Sequence, residues 1–300
     1  MLLHQHPQEK TDGVVESKQV LNMDGKGLNS VPESLAARGG LREISLYNNK
    51  LNSFPLQICT LKALQVLNIS CNNIPAIPVN IAELSALRML DLGHNQIDSI
   101  PAELGDLTHL EYLYLSNNKL KSLPETLSAL RHLVYLNVTD NQLEDIPEAI
   151  FSLSTLEELR LYNNAITILP QSIGRLQQMQ ELHLMKNNIE SIDKGIASLT
   201  KLRVLDISDN YLRQLPDEFC RLAQLTDVNF RFNQLSQLPD NFGELKNLQT
   251  LDLRANQLSA LPDSFAELNQ LKRLDLRWNN FSRLPEIVAT LMARGCLVHI

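Results

Sequence analysis

The chain has 300 residues, 44% of them hydrophobic, and 27 basic against 34 acidic side chains leave a formal net charge of −7. That is enough apolar material for a large core, and the acidic balance argues against a nucleic-acid binder that works by phosphate neutralisation. No apolar run approaches the ~18 residues of a membrane span, so no span is expected.

The start, MLLHQHPQEK, shows neither the basic n-region nor the apolar h-region of a secretory signal. Residues 1–17 follow no pattern found later and read as a mobile tail or a makeshift cap. From residue 18 to residue 300 the chain is a single domain of about a dozen units, each 23 residues long. Stepping by 23 from Asn49 lands on asparagine every time, at Asn72, Asn95, Asn118, Asn141, Asn164, Asn187, Asn210, Asn233, Asn256 and Asn279. Prolines keep the same step from Pro32 to Pro170, give way to Asp193, and resume from Pro216 to Pro285.

Each unit has the form LxxLxLxxNxLxxLPxxLxxLxx. The LxL portion alternates with period two, which predicts a strand with one buried face. After the proline, apolar residues recur every three, as in Leu104, Leu107 and Leu110, which predicts a short helical or 3-10 turn with proline in its first position. At Asp193 a capping role replaces the proline. The asparagine follows the strand, where the chain turns inward and buries backbone groups that no ladder satisfies. A carboxamide offers two donors and an acceptor for them, so the eleven asparagines are structural. Phe219, Phe242 and Phe265 follow their prolines by three residues and form a core ladder. The end, CLVHI, places Leu297 on a core position and has no obvious capping helix. The exposed last layer could therefore self-associate.

The four cysteines, Cys59, Cys71, Cys220 and Cys296, form no CxxC pair. They suggest a reducing compartment and no disulfide framework. Histidines and cysteines nowhere reach metal-ligand spacing, so neither a metal nor a cofactor is expected.

The repeated unit resembles the leucine-rich-repeat superfamily, in its typical 23-residue LPxxLxxLxxL class, over residues 19–300. Similar units occur in plant Ras-group, Scribble-type and Ras-scaffold members and in bacterial cytoplasmic or effector proteins. The resemblance implies an α/β fold, a curved solenoid whose parallel sheet lines a concave face used to hold protein or peptide partners. It also implies short helical or 3-10 turns on the convex side.

On that face the third, fifth and seventh positions of each unit point outward. The third column holds Tyr112, Tyr135 and Arg273; the fifth holds Tyr114, Asp252 and Asp275; the seventh holds Tyr162, Arg231, Arg254 and Arg277. The next position, where asparagine and aspartate are the commonest occupants, carries Phe232 and Trp278.

Two readings of the arginine column follow. Arg231, Arg254 and Arg277 neutralise Asp252 and Asp275 along the same strands, or, with Arg273, Phe232 and Trp278, they anchor an acidic or phosphorylated segment. Tyr112, Tyr114, Tyr135 and Tyr162 form a second candidate surface. His183, Asp206 and Ser208 resemble a hydrolytic triad in composition, but an open sheet offers no oxyanion hole. Cys71 and His94 share a rim column without a third group. No enzyme is expected. The function read from these residues is a cytoplasmic scaffold or regulator in signalling. The alternative is an exported bacterial effector or ubiquitin-ligase-type adaptor whose repeats select a host protein.

Overall fold

The computed structural model describes residues 19–300, so the tail or cap assigned to residues 1–17 lies outside the described residues. Strands of three residues recur once per repeat, from Val20–Asn22 and Glu43–Ser45 to Arg273–Asp275 and Leu297–His299. They form one 13-stranded parallel sheet whose spatial order follows the chain. Through most of its length the register advances without slip: Leu90 pairs with Leu113, Leu113 with Leu136, and Leu136 with Leu159. Period-two alternation turns this leucine row inward, where it is fully buried.

Parallel strands need a crossover, and here the return is a 3-10 turn of three to five residues. The proline stands one place earlier than expected, at the cap of the turn. Pro101 is extended (φ −69°, ψ 150°), and its carbonyl accepts the Leu104 N–H at 3.1 Å. Its ring thus fixes an extended entry into the turn, and its carbonyl opens the turn's hydrogen bonding. At the one position without proline, Asp193 caps as expected, its Oδ1 accepting the Lys194 N–H at 2.9 Å.

Behind the sheet a continuous core runs from Leu21 to Cys296. The phenylalanine ladder is part of it, with Phe219 and Phe242 centroids 6.4 Å apart and Phe242 and Phe265 5.2 Å apart. The four cysteines are free. Cys59 and Cys220 lie buried in the 3-10 turns Leu56–Thr60 and Asp217–Arg221. Burial pushes their thiols up to about 11 and about 12, which keeps them protonated and unreactive.

The asparagines do what their chemistry allows. Asn95 Oδ1 accepts the Ile74 N–H at 3.0 Å, while its amide donates to the carbonyls of Ile69, Leu92 and Gly93. One side chain therefore ties together three segments of two adjacent repeats.

The C-terminal end departs from the 23-residue step. The last repeat replaces the 3-10 turn with an α-helix, Glu286–Ala293, which buries Val288 and Leu291 against the core. Gly295 closes that helix at φ +92°, a left-handed position just past the helix end where glycine is favoured. The longer element adds one residue, so Leu274 pairs with Val298 and Arg273 with Leu297. Leu297 therefore faces the concave side at 58% exposure, and Val298 takes the core position assigned to it. The helix packs on the preceding turn, Asp263–Glu267, and the sequence pattern did not reveal it.

Because each repeat packs mainly on its neighbours, the molecule is expected to be an elongated arc. Small-angle scattering should give a radius of gyration clearly above the about 19 Å of a 300-residue globule. A value at that figure contradicts the stacked arrangement.

Candidate partner-binding site

Strand register places the third and fifth columns as the alternation predicts, with Tyr112 beside Tyr135 and Thr250 beside Arg273. The fifth column has a second, structural duty. Its Asp or Asn side chain accepts the backbone N–H two residues later, from Asn68 to Ser70 (3.0 Å), Asp206 to Ser208 (3.0 Å) and Asp252 to Arg254 (3.0 Å). These carboxylates and amides satisfy donors that the strand leaves as it ends. Ser70, Thr139 and Ser208 of the seventh column are consequently buried and not outward-facing.

The position after the seventh column is left-handed in every repeat from Asn48 to Trp278, with φ between 51° and 58°. Asparagine and aspartate tolerate this region, whereas a bulky side chain there costs about 1–2 kcal/mol. Phe232 (φ 52°) and Trp278 (φ 58°) are held in it with 42% and 67% of their surfaces exposed. Ala255 stands between them in the same column, and the two rings lean together across it, 6.1 Å apart.

The Arg254 guanidinium packs beneath both rings, 5.7 Å from Phe232 and 5.9 Å from Trp278, and Arg231 lies 5.8 Å from Phe232. Each column arginine also meets an aspartate. Arg231 is 3.6 Å from Asp209, Arg254 is 3.3 Å from Asp252, and Arg277 grips Asp275 through two bonds of 3.0 and 2.5 Å. Burial of Asp275 opposes its ionisation, but the Arg277 hydrogen bonds outweigh it and hold the carboxyl below its ordinary range. Asp209 was not among the expected partners of this column. Arg273 belongs to the far edge of the strand, roughly 15 Å from Trp278 by strand rise, and stays outside the stack.

The second surface is smaller than the sequence suggested. Tyr135 packs on Tyr114 (4.8 Å) and Tyr112 (6.5 Å), and the Arg160 guanidinium covers its ring at 5.8 Å. Burial pushes the Tyr135 phenol above the usual tyrosine range, an effect that Arg160 partly offsets. Tyr162 makes no ring contact with the other three among the described residues. Arg160 went unnoticed in the sequence because it lies diagonally across from Tyr135, on the next strand in another column.

Arg160 Nε also donates to Glu158 Oε1 at 2.5 Å, and beside this pair His183 Nε2 approaches Glu181 Oε2 at 3.3 Å. Ligand atoms of Glu158, Glu181 and His183 all lie within 4.8 Å of one another. The expectation of no metal rested on the spacing of histidines and cysteines. It considered spacing along the chain, whereas these three meet across strands. The triad-like set does not assemble as one: Ser208 Oγ donates to Asp206, and His183 turns to Glu181. His94 bonds Asn117 at 2.8 Å, and Cys71 lies beside Tyr47. Among the described residues no helix is long and apolar enough to cross a membrane.

Sequential parallel strands, a buried asparagine ladder and a 3-10 back define a leucine-rich-repeat solenoid. The family model described as a leucine-rich repeat region matches residues 81–214 and 216–293, and a second, leucine rich repeat, matches residues 39–97. The chain belongs to the leucine-rich-repeat family. Comparison with curated protein sequences found no match.

Solved structures share the fold. A TDR receptor is similar with a TM-score of 0.81 at 28% identity, over 94% of this chain and 50% of that one. An internalin of Listeria monocytogenes gives 0.74 at 23%, over 94% and 86%. A chain of the octameric complex of Latrophilin 3, Unc5D and the FLRT2 leucine-rich repeat gives 0.72 at 24%, over 89% and 83%.

Proposed function

We propose that this protein is a non-enzymatic binding module that holds a protein or peptide on its concave face, anchored at Phe232, Arg254 and Trp278. The observation that carries this reading is the aromatic pair itself. Two large rings are kept exposed in left-handed backbone, at a position where five other repeats use Asn or Asp. Asparagine or aspartate would sit in that backbone with less strain, whereas exposed Trp and Arg are the residues that dominate binding energy. The similar chain from the Latrophilin 3, Unc5D and FLRT2 complex belongs to a protein assembly, which agrees with such a role.

Tyr112, Tyr114 and Tyr135, braced by Arg160, serve as the second contact, and Tyr162 and Arg273 extend the surface. An acidic or phosphorylated partner segment would compete with Asp209, Asp252 and Asp275 for the arginines. Recognition therefore rests more on ring contact than on charge, and its salt dependence should be modest. The setting we propose is cytoplasmic scaffolding or regulation. An effector or ubiquitin-ligase-type adaptor would use the same face. Self-association would run through the Leu297–His299 edge.

Selection of a displayed peptide library on the intact protein provides probes for the face. Clones that bind the wild type should lose about 2 kcal/mol or more of affinity for Trp278→Asn. The urea midpoint of that variant should hold or rise, because asparagine is at ease at positive φ. Arg254→Glu should weaken the same clones. Affinity unchanged in both variants would remove the anchor and leave the tyrosine surface as the site.

A further inference from the structure

The strands Glu158–Arg160 and Glu181–His183 lie side by side, with Glu158 directly opposite Glu181. His183 follows Glu181 by two residues and so emerges on the same face. We propose that Glu158, Glu181 and His183 form a concave-face site for a divalent transition-metal ion of the zinc class, bound through one nitrogen and two carboxylate oxygens.

The donor geometry is close to what such an ion needs. Bonds of about 2.0–2.2 Å in a tetrahedral site leave donors roughly 3.3 Å apart. His183 Nε2 and Glu181 Oε2 already stand 3.3 Å apart, and every pair in the group is within 4.8 Å. Small side-chain adjustments bring in the Glu158 oxygen. With one imidazole, two carboxylates and no thiolate, the set suits zinc, cobalt or manganese more than soft copper(I).

Electrostatics point the same way. Carboxylates directly opposite on adjacent strands repel. Arg160 takes Glu158 Oε1, and the His183 ring stands against Glu181 Oε2. Asp206, in register with His183, adds further negative potential while serving Ser208 and Asn229. A bound dication relieves the repulsion between the facing carboxylates.

Order is also favourable. The side chains of His183 and Glu158 are only 17% and 18% exposed, so little freedom is lost on binding, while the more exposed Glu181 leaves an entry path. The remaining coordination position opens to the concave space, where water or a partner's donor can take it.

Arg160 makes the proposal discriminating, because the guanidinium and the metal compete for Glu158. Arg160→Gln removes that competitor and should tighten metal binding several-fold. A cluster that is only a set of ion pairs would show no such gain.

Zinc chloride titrated calorimetrically into the metal-free intact protein tests the site, with cobalt absorption reporting coordination. One ion per chain is expected at this site. His183→Asn and Glu181→Gln should each weaken it by at least about 10-fold, with unchanged urea midpoints showing that both variants fold. The stacked His109 and His132, whose centroids are 6.0 Å apart, are the competing surface, and changing both to alanine should leave the site intact. The proposal fails if wild type gives neither heat nor cobalt absorption. It fails equally if binding survives the His183 and Glu181 changes, or disappears with His109 and His132 as an adventitious surface ion only.

Discussion

Asn210→Ala should lower the unfolding free energy by about 3 kcal/mol, as buried groups lose partners at roughly 1–3 kcal/mol each. Asn210 is 5% exposed. Its Oδ1 accepts the Ile189 N–H at 2.9 Å, and its amide donates to the carbonyls of Leu184 (3.0 Å), Ile207 (3.1 Å) and Ser208 (3.0 Å). Alanine leaves the Ile189 N–H without its acceptor in a space that water enters poorly.

Asn210→Asp separates the two halves of this network. A carboxylate can still accept from Ile189, but it places negative charge against three carbonyl oxygens, so it should cost at least as much as alanine. Asn164→Ala should cost less, because that amide makes the same bonds from a part-buried site where water can replace it. Gln142, exposed on the surface, supplies the silent control. Equal urea midpoints for Asn210→Ala and Gln142→Ala would remove the asparagine from its role in stability.

The asparagine could be assigned from sequence because its environment is created by the repeat. A constant step of 23 fixes which residues stack, and period-two alternation fixes which face they take. The columns therefore matched the observed strand pairs, as with Tyr112 and Tyr135. The same arithmetic failed wherever one residue is added. The helix Glu286–Ala293 lengthens the last repeat by one residue, and Leu297 moved from the core to the surface.

Contacts between columns were also beyond reach, since they depend on side-chain torsions that no spacing records. Arg254 could have extended into solvent like any exposed arginine, but it folded beneath Phe232 and Trp278. Arg160 reached from the fifth column to Tyr135 in the third, and Glu158 met His183 through strand pairing. The left-handed position had a partial signal in its recurrent Asn and Asp. Cys71, His94, Lys186 and Ala255 diluted it, although all adopt the same φ.

Gly243→Ala should destabilise the fold by about 2 kcal/mol through overpacking. Gly243 lies in the 3-10 turn Phe242–Glu244, which packs on the next turn, Asp263–Glu267. A Cβ added there would sit 1.9 Å from the Ser264 carbonyl oxygen and 2.6 Å from its carbon. Both are backbone atoms, so no rotamer change relieves the clash and the turns must separate. That separation loosens the Phe242–Phe265 stack and strains the bond from the Gly243 N–H to Ser264 Oγ.

Ala82, Ala197 and Ala266 occupy the same offset in other repeats, so the spacing can open locally, and the expected result is a weakened fold, not an unfolded chain. Gly39 is the contrasting case, since nothing lies within 4 Å of its added Cβ. Gly39→Ala should be neutral or stabilise by about 0.4–1 kcal/mol, by restricting the unfolded chain. Chemical denaturation of the two variants measures the difference. Midpoints that move together would show that backbone contact at Ser264 does not limit the spacing of the turns.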